Sequence, residues 1–137
     1  MRELELVLES LALAGERGGD ITAAAYAHYF VRCPESRQLM VLVDSHMRGR
    51  MLERVLQLLM SDQLEDERGY LEFETRTHVS YGVERHMYGN LLLGVRDAVQ
   101  VAAGDAWTAT HAAAWTVRLA AIDAEIRKAF ELTAALA

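Results

Sequence analysis

His78 closes a short, weakly apolar stretch and is followed by Val79-Ser80-Tyr81-Gly82-Val83, with Tyr88 ten residues downstream of it. An imidazole placed this way can bind a metal through one ring nitrogen. The other nitrogen is then held by a neighbour, here a backbone carbonyl near Glu74, which fixes the ring's orientation and tautomer. The plain alternative is a histidine at the solvated end of a helix. Motifs for multidentate protein sites are missing: the chain has no His-Glu-x-x-His, a single cysteine (Cys33) and no Glu-x-x-His repeat. The acidic run Asp62, Glu65, Asp66 and Glu67 lacks calcium-loop spacing and reads as a solvated loop. No glycine-rich phosphate loop and no Ser–His or Cys–His nucleophile pairing stands out. By itself His78 offers no more than the chemistry of a single imidazole. His28, His86 and His111 read as surface or satisfied side chains.

Helices must position that ligand. Alanine and leucine dominate, proline occurs once and 52% of residues are apolar, which is the composition of an all-α fold. A first helix is expected from Glu3 to about Gly15, with Leu4, Val7, Leu8 and Leu11 on one stripe. Gly15, Gly18 and Gly19 end it, and Asp20 caps a second helix through Val31, on which Tyr26, Tyr29, Phe30 and Cys33 recur at helical spacing. Pro34 forces Cys33 out of helical geometry, and a short turn over Glu35 to Val43 follows. The next helix, Asp44 to Met60, carries Met47, Met51, Leu52, Val55, Leu58 and Leu59 on one stripe and Arg48, Arg50 and Arg54 off it. Ser61 to Gly69 reads as exposed loop and Tyr70 to His78 as a short helix. After Gly82 a long helix from Glu84 to Ala103 turns Tyr88, Leu91, Leu92, Val95 and Val99 inward, and Gly104-Asp105 ends it. Thr108 caps the last helix, which runs to about Leu136 with Trp115, Leu119, Ile122, Ile126 and Phe130 inward. Six or seven helices with no strand, repeat or linker make one domain over residues 1–137.

Composition also excludes partners. A net charge of −6 argues against nucleic acid, which wants a basic face. No apolar run is long enough for a membrane span. Acids at Glu3 and Glu5 argue against a signal peptide, and the lone cysteine against a disulfide framework, so a cytoplasmic setting is expected.

From His78 to Trp115 the residues resemble, without a gap, the bacterial single-domain globins and the haem domain of flavohaemoglobins. The matching pattern is a histidine, a Gly-Val corner (Gly82-Val83), Tyr88, a Gly-x-x-x-Thr turn (Gly104 to Thr108) and then Ala114-Trp115. Upstream, Tyr26-Ala27-His28-Tyr29-Phe30-Val31-Arg32-Cys33-Pro34-Glu35 is similar to the family's second-helix ending, with a tyrosine eight residues before Pro-Glu. The resemblance covers Ile21 to Phe130, most of the chain. It implies a globin-like fold, a 3-on-3-type helical sandwich around haem b, with His78 as the proximal iron ligand. Three departures stand out. Met40 occupies the place of the phenylalanine that wedges against the porphyrin, the span from Pro34 to His78 is short, and Phe130 stands where flavohaemoglobins carry a glutamate paired with the proximal histidine.

On this reading Val83, Tyr88 and Leu91 line the proximal haem face, Met40 packs the ring, and Tyr26 offers a distal hydroxyl to a bound gas. Helical periodicity turns Met47 and Met51 toward the iron, with Val55 beneath. His46 is the first candidate for a sixth ligand, yet facing it inward would bury Arg50 and Arg54 without evident partners. The pocket mouth suits His46 better, with Arg50 reaching a haem propionate. The implied function is reversible binding of O2, with NO and CO as further ligands. Oxidation of NO to nitrate would draw electrons from a separate reductase, because no flavin or nicotinamide pattern accompanies the helices. The rival is a globin-fold sensor or interaction module for stress signalling, haem-based or haem-free. Separately, the helices around Leu91 and Trp115 offer a candidate homodimer interface.

Overall fold

A computed structural model describes residues 2–136; Met1 and Ala137, the ends of the expected single domain, lie outside the described residues. Those residues form seven α-helices and no strand: α1 (Arg2–Gly18), α2 (Thr22–Arg32), α3 (Glu35–Leu39), α4 (Ser45–Met60), α5 (Arg68–Ser80), α6 (Arg85–Ala103) and α7 (Ala109–Leu136). The chain is all-α, and none of its helices is long and apolar enough to cross a membrane.

Helix α1 runs through Gly15 and stops at Gly18; Gly19, at φ +66°, provides the left-handed turn out of it. Its buried face is Val7, Ser10 and Ala14, while Leu8 is exposed. The stripe is thus rotated from the expected Leu4, Val7, Leu8 and Leu11, because a polar residue, Ser10, is wanted inside. Ser10 Oγ accepts from Trp115 Nε1 at 2.8 Å and donates to the Val7 carbonyl, so the indole of α7 is satisfied in the dry core.

The Asp20 carboxylate accepts from the Thr22 amide and hydroxyl at the start of α2, and Cys33 ends that helix before Pro34. Residues Glu35–Leu39, expected as a turn, form one short helix, α3. Asp44 caps α4 by accepting the Met47 amide at 2.8 Å. The acidic segment expected as a loop holds a 3₁₀ turn, Leu64–Glu67, that leads straight into α5 at Arg68.

Helix α2 crosses α6 closely, α1 lies against α6 and α7, and α5 lies against α7. The α2–α6 crossing is set by Gly94: a Cβ there would sit 2.8 Å from the Tyr29 amide nitrogen and 3.0 Å from the Ala25 carbonyl oxygen. Only a residue without a side chain admits that approach. Arg32 and Asp97 pair across the same crossing, and Arg68 and Glu125 tie α5 to α7. Helix α4 is the least embedded of the long helices. Its C-terminal carbonyls, those of Leu58 and Leu59, accept from the buried guanidinium of Arg118 on α7, which also reaches the Ser61 carbonyl.

Candidate functional site

His78 sits two residues before the end of α5, where the corner after it is built to hold one conformation. The Val83 amide donates to the His78 carbonyl and the Gly82 amide to the Val79 carbonyl, both at 3.0 Å. This is a Schellman ending, and it requires the left-handed backbone that Gly82 adopts at φ +89°. The Gly-Val pair therefore fixes the last turn of α5 and returns Val83 to the same side as the histidine.

The His78 side chain lines an apolar crevice of about 150 Å³ with Tyr29, Leu39, Met40, Met51, Tyr81, Val83, Met87, Tyr88 and Leu91. A second compartment of about 120 Å³ lies behind it; Met51, His78, Tyr88 and Leu91 border both, with Arg54, Val55 and Glu74 on the far side. His78 Nδ1 lies 2.5 Å from the Tyr88 hydroxyl. The Tyr88 ring meets the imidazole edge-on at 5.6 Å and Phe130 of α7 edge-on at 5.4 Å, so the phenol is clamped from both sides. Burial holds the His78 imidazole below its ordinary pKa, against the opposing pull of the Glu74 carboxylate and backbone carbonyl. Burial also pushes the Tyr88 phenol well above the usual range, so both partners are neutral near pH 7.

Met40, Met51, Val83, Tyr88 and Leu91 thus converge with His78 on the crevice, and Val55 on the compartment behind it. Four expected site residues are elsewhere. Tyr26 is only 2% exposed but borders a different cleft, with Asp20, Ser45 and Arg48, and its buried hydroxyl has no hydrogen-bond partner. The guanidinium of Arg48 covers the Tyr26 and Phe30 rings at 5.6 and 5.3 Å. That stacking turns α4 so that Arg48 and Met51 face inward, which leaves Met47 52% exposed rather than beside His78. His46 and Arg50 are exposed and border neither compartment. Arg54 is half-buried and bound by Glu67 at 2.7 Å and Glu74 at 3.0 Å, over the face of Tyr70.

Sequence reasoning missed Tyr29, Leu39, Tyr81 and Met87 as crevice residues. Tyr29 and Tyr26 lie one turn apart, so periodicity could not choose between them; the contact of Gly94 with the α2 backbone decides it. The Tyr29 hydroxyl donates to Ser36 Oγ at 2.6 Å, on α3. No protein-family model matches this sequence, and no curated protein matches it either.

Proposed function

We propose that this chain is a haem-binding globin in which His78 is the axial ligand and the crevice between α3, α4, α5 and α6 is the haem seat. One observation carries the reading. The Tyr88 phenol engages Nδ1 of a half-buried, neutral imidazole and leaves Nε2 for a ligand role at the edge of an apolar crevice. The helix pairs α2–α6, α1–α7 and α5–α7 support a two-layer sandwich of the globin kind.

The donor set fits a haem: one imidazole, oriented by its neighbours, with methionine and aliphatic walls that pack a flat macrocycle. The volume fits only with the mouth widened. Pockets that bury drug-sized ligands run to about 300–1,000 Å³, and here Leu39, packed 3.7 Å from where a Gly82 Cβ would stand, narrows the opening beside the 74%-exposed Tyr81. Both side chains border solvent and can turn outward without breaking a hydrogen bond.

A haem held there by His78 would supply an iron for O2, NO or CO; Met40, Met51, Val83 and Leu91 would shield it from water, and Tyr88 keeps the imidazole oriented for ligation. The Tyr29 hydroxyl, on the crevice wall, already donates to Ser36 Oγ, so it would have no proton free for a bound gas. Oxidation of NO to nitrate is the turnover to look for when a reductase is supplied.

Titration of the purified chain with haemin tests the reading. One equivalent should give a Soret band, His78→Gly should lose it, and free imidazole should restore it. A folded protein with no Soret band up to equimolar haemin favours instead a haem-free helical signalling module, the reading to which the small crevice points.

A further inference from the structure

Cys33, Glu35 and His86 converge at the corner between α2 and α3, beside the start of α6. One ligand-bearing atom from each lies within 4.8 Å of the others, and among the described residues no other such trio of His, Cys, Asp or Glu forms. The Cys33 thiol donates to Glu35 Oε1 at 2.7 Å, and the same oxygen lies 3.0 Å from His86 Nε2. The far nitrogen, His86 Nδ1, is 3.4 Å from Glu84 Oε2. The sulfur also accepts from Ser36 Oγ at 3.2 Å.

We propose that Cys33, Glu35 and His86 form a zinc(II) site that no part of the haem reading requires. Thiolate, imidazole and carboxylate are the ligand types zinc takes, at about 2.0–2.3 Å, and three protein ligands leave a fourth position to water. For tetrahedral zinc the Glu35–His86 pair has to open by about 0.3 Å and the Cys33–Glu35 pair by about 0.8 Å, which the half-exposed Glu35 side chain can supply by turning outward. Charge balances: one thiolate, one carboxylate and one neutral imidazole offset the dication, and the thiol proton leaves to solvent on binding. Outer partners are in place as well. The Glu84 carboxylate stands against His86 Nδ1, the carboxylate–histidine–metal arrangement that raises a ligand's basicity, and Ser36 already donates to the sulfur. Cys33 itself is 0% exposed, while Glu35 and His86 are about half exposed at 54% and 50%, so an ion enters from their side.

The site is joined to the crevice. Tyr29, on the crevice wall, donates to Ser36, and Ser36 donates to Cys33. A bound ion would clamp the α2–α3 corner to the start of α6, and both bear walls of the crevice.

Cobalt(II) is the probe, because its thiolate complexes absorb in the near ultraviolet. Added to the reduced, purified chain, Co²⁺ should bind one-to-one with a charge-transfer band that Zn²⁺ displaces. Cys33→Ser should remove the band. His86→Gln and Glu35→Gln, at half-exposed positions where the fold is not at stake, should each weaken binding by at least about 10-fold, the lower end of what losing even an outer-shell partner costs. His78→Ala should leave the cobalt spectrum unchanged, which separates this site from the haem seat. Cobalt binding without the band, or affinity unchanged in both His86→Gln and Glu35→Gln, overturns the proposal.

Discussion

Tyr88 and His78 form the pair on which the crevice chemistry turns. Replacing Tyr88 by Phe keeps the ring that Phe130 supports and removes only the hydroxyl at Nδ1. The haem-free chain should lose about 1 kcal/mol in a urea melt, the net worth of one hydrogen bond. If the crevice seats haem as proposed, haem affinity should fall by about 10–100-fold, the usual effect of losing a ligating histidine's outer partner. His78 also writes a pH dependence. Its pKa in the fold lies below the unfolded value of about 6.5. Above pH 6.5 neither state carries the proton, and the contribution is whole. As pH falls through 6.5 the unfolded chain takes up a proton that the folded chain refuses, and stability declines. Thermal melts of the haem-free chain between pH 7.5 and 5.5 should show that decline, and His78→Leu should flatten it.

Elements meet here through single residues that periodicity does not flag. On α6, Gly89 and Gly94 look alike in the sequence. A Cβ at Gly89 meets nothing within 4 Å, whereas at Gly94 it meets the backbone of α2. Gly89→Ala should therefore stabilise by up to about 1 kcal/mol through helix propensity. Gly94→Ala should lose more than that gain, since overpacking against atoms that cannot move aside costs about 1–3 kcal/mol; paired denaturant melts read the opposite signs. Helix α4 has no basic residue in its last turn, and Arg118 of α7 serves instead by donating to the carbonyls of Leu58, Leu59 and Ser61. Arg118→Ala should cost about 2–3 kcal/mol, the scale of a charge-assisted bond. Arg118→Lys should recover only part of it, because an ammonium cannot fork to several carbonyls as a planar guanidinium does.

Across the whole molecule the dry interior is organised around aromatic side chains with polar tips. Trp115 and Tyr29 reach partners, whereas Tyr26 does not. Burial pushes the phenols of Tyr26 and Tyr29 up to about 12, and that of Tyr88 further. Unfolded tyrosines ionise near pH 10. Above that pH the unfolded chain sheds protons that the folded chain keeps, so stability declines with rising pH. A phenolate absorbance titration should show three tyrosines ionising late, and together with loss of helical circular dichroism.

Six of the seven helices were legible, all but the short α3, because their signals are local: Asp44 before α4, Pro34 after α2, Gly82 and Gly104 at the corners, and apolar residues at helical spacing between them. The cluster of His78, Tyr88, Val83 and Leu91 was legible too, since three of the four follow one fixed corner. What the sequence could not decide was rotation about a helix axis. Whether Tyr26 or Tyr29 meets the crevice, and whether Met47 or Arg48 turns inward, depends on how closely α2 can approach α6 and on what a guanidinium finds to stack against. Those are contacts between residues tens of positions apart. Cys33, Glu35 and His86 tell the same story: the first two are neighbours in sequence, and only tertiary packing brings the third to them.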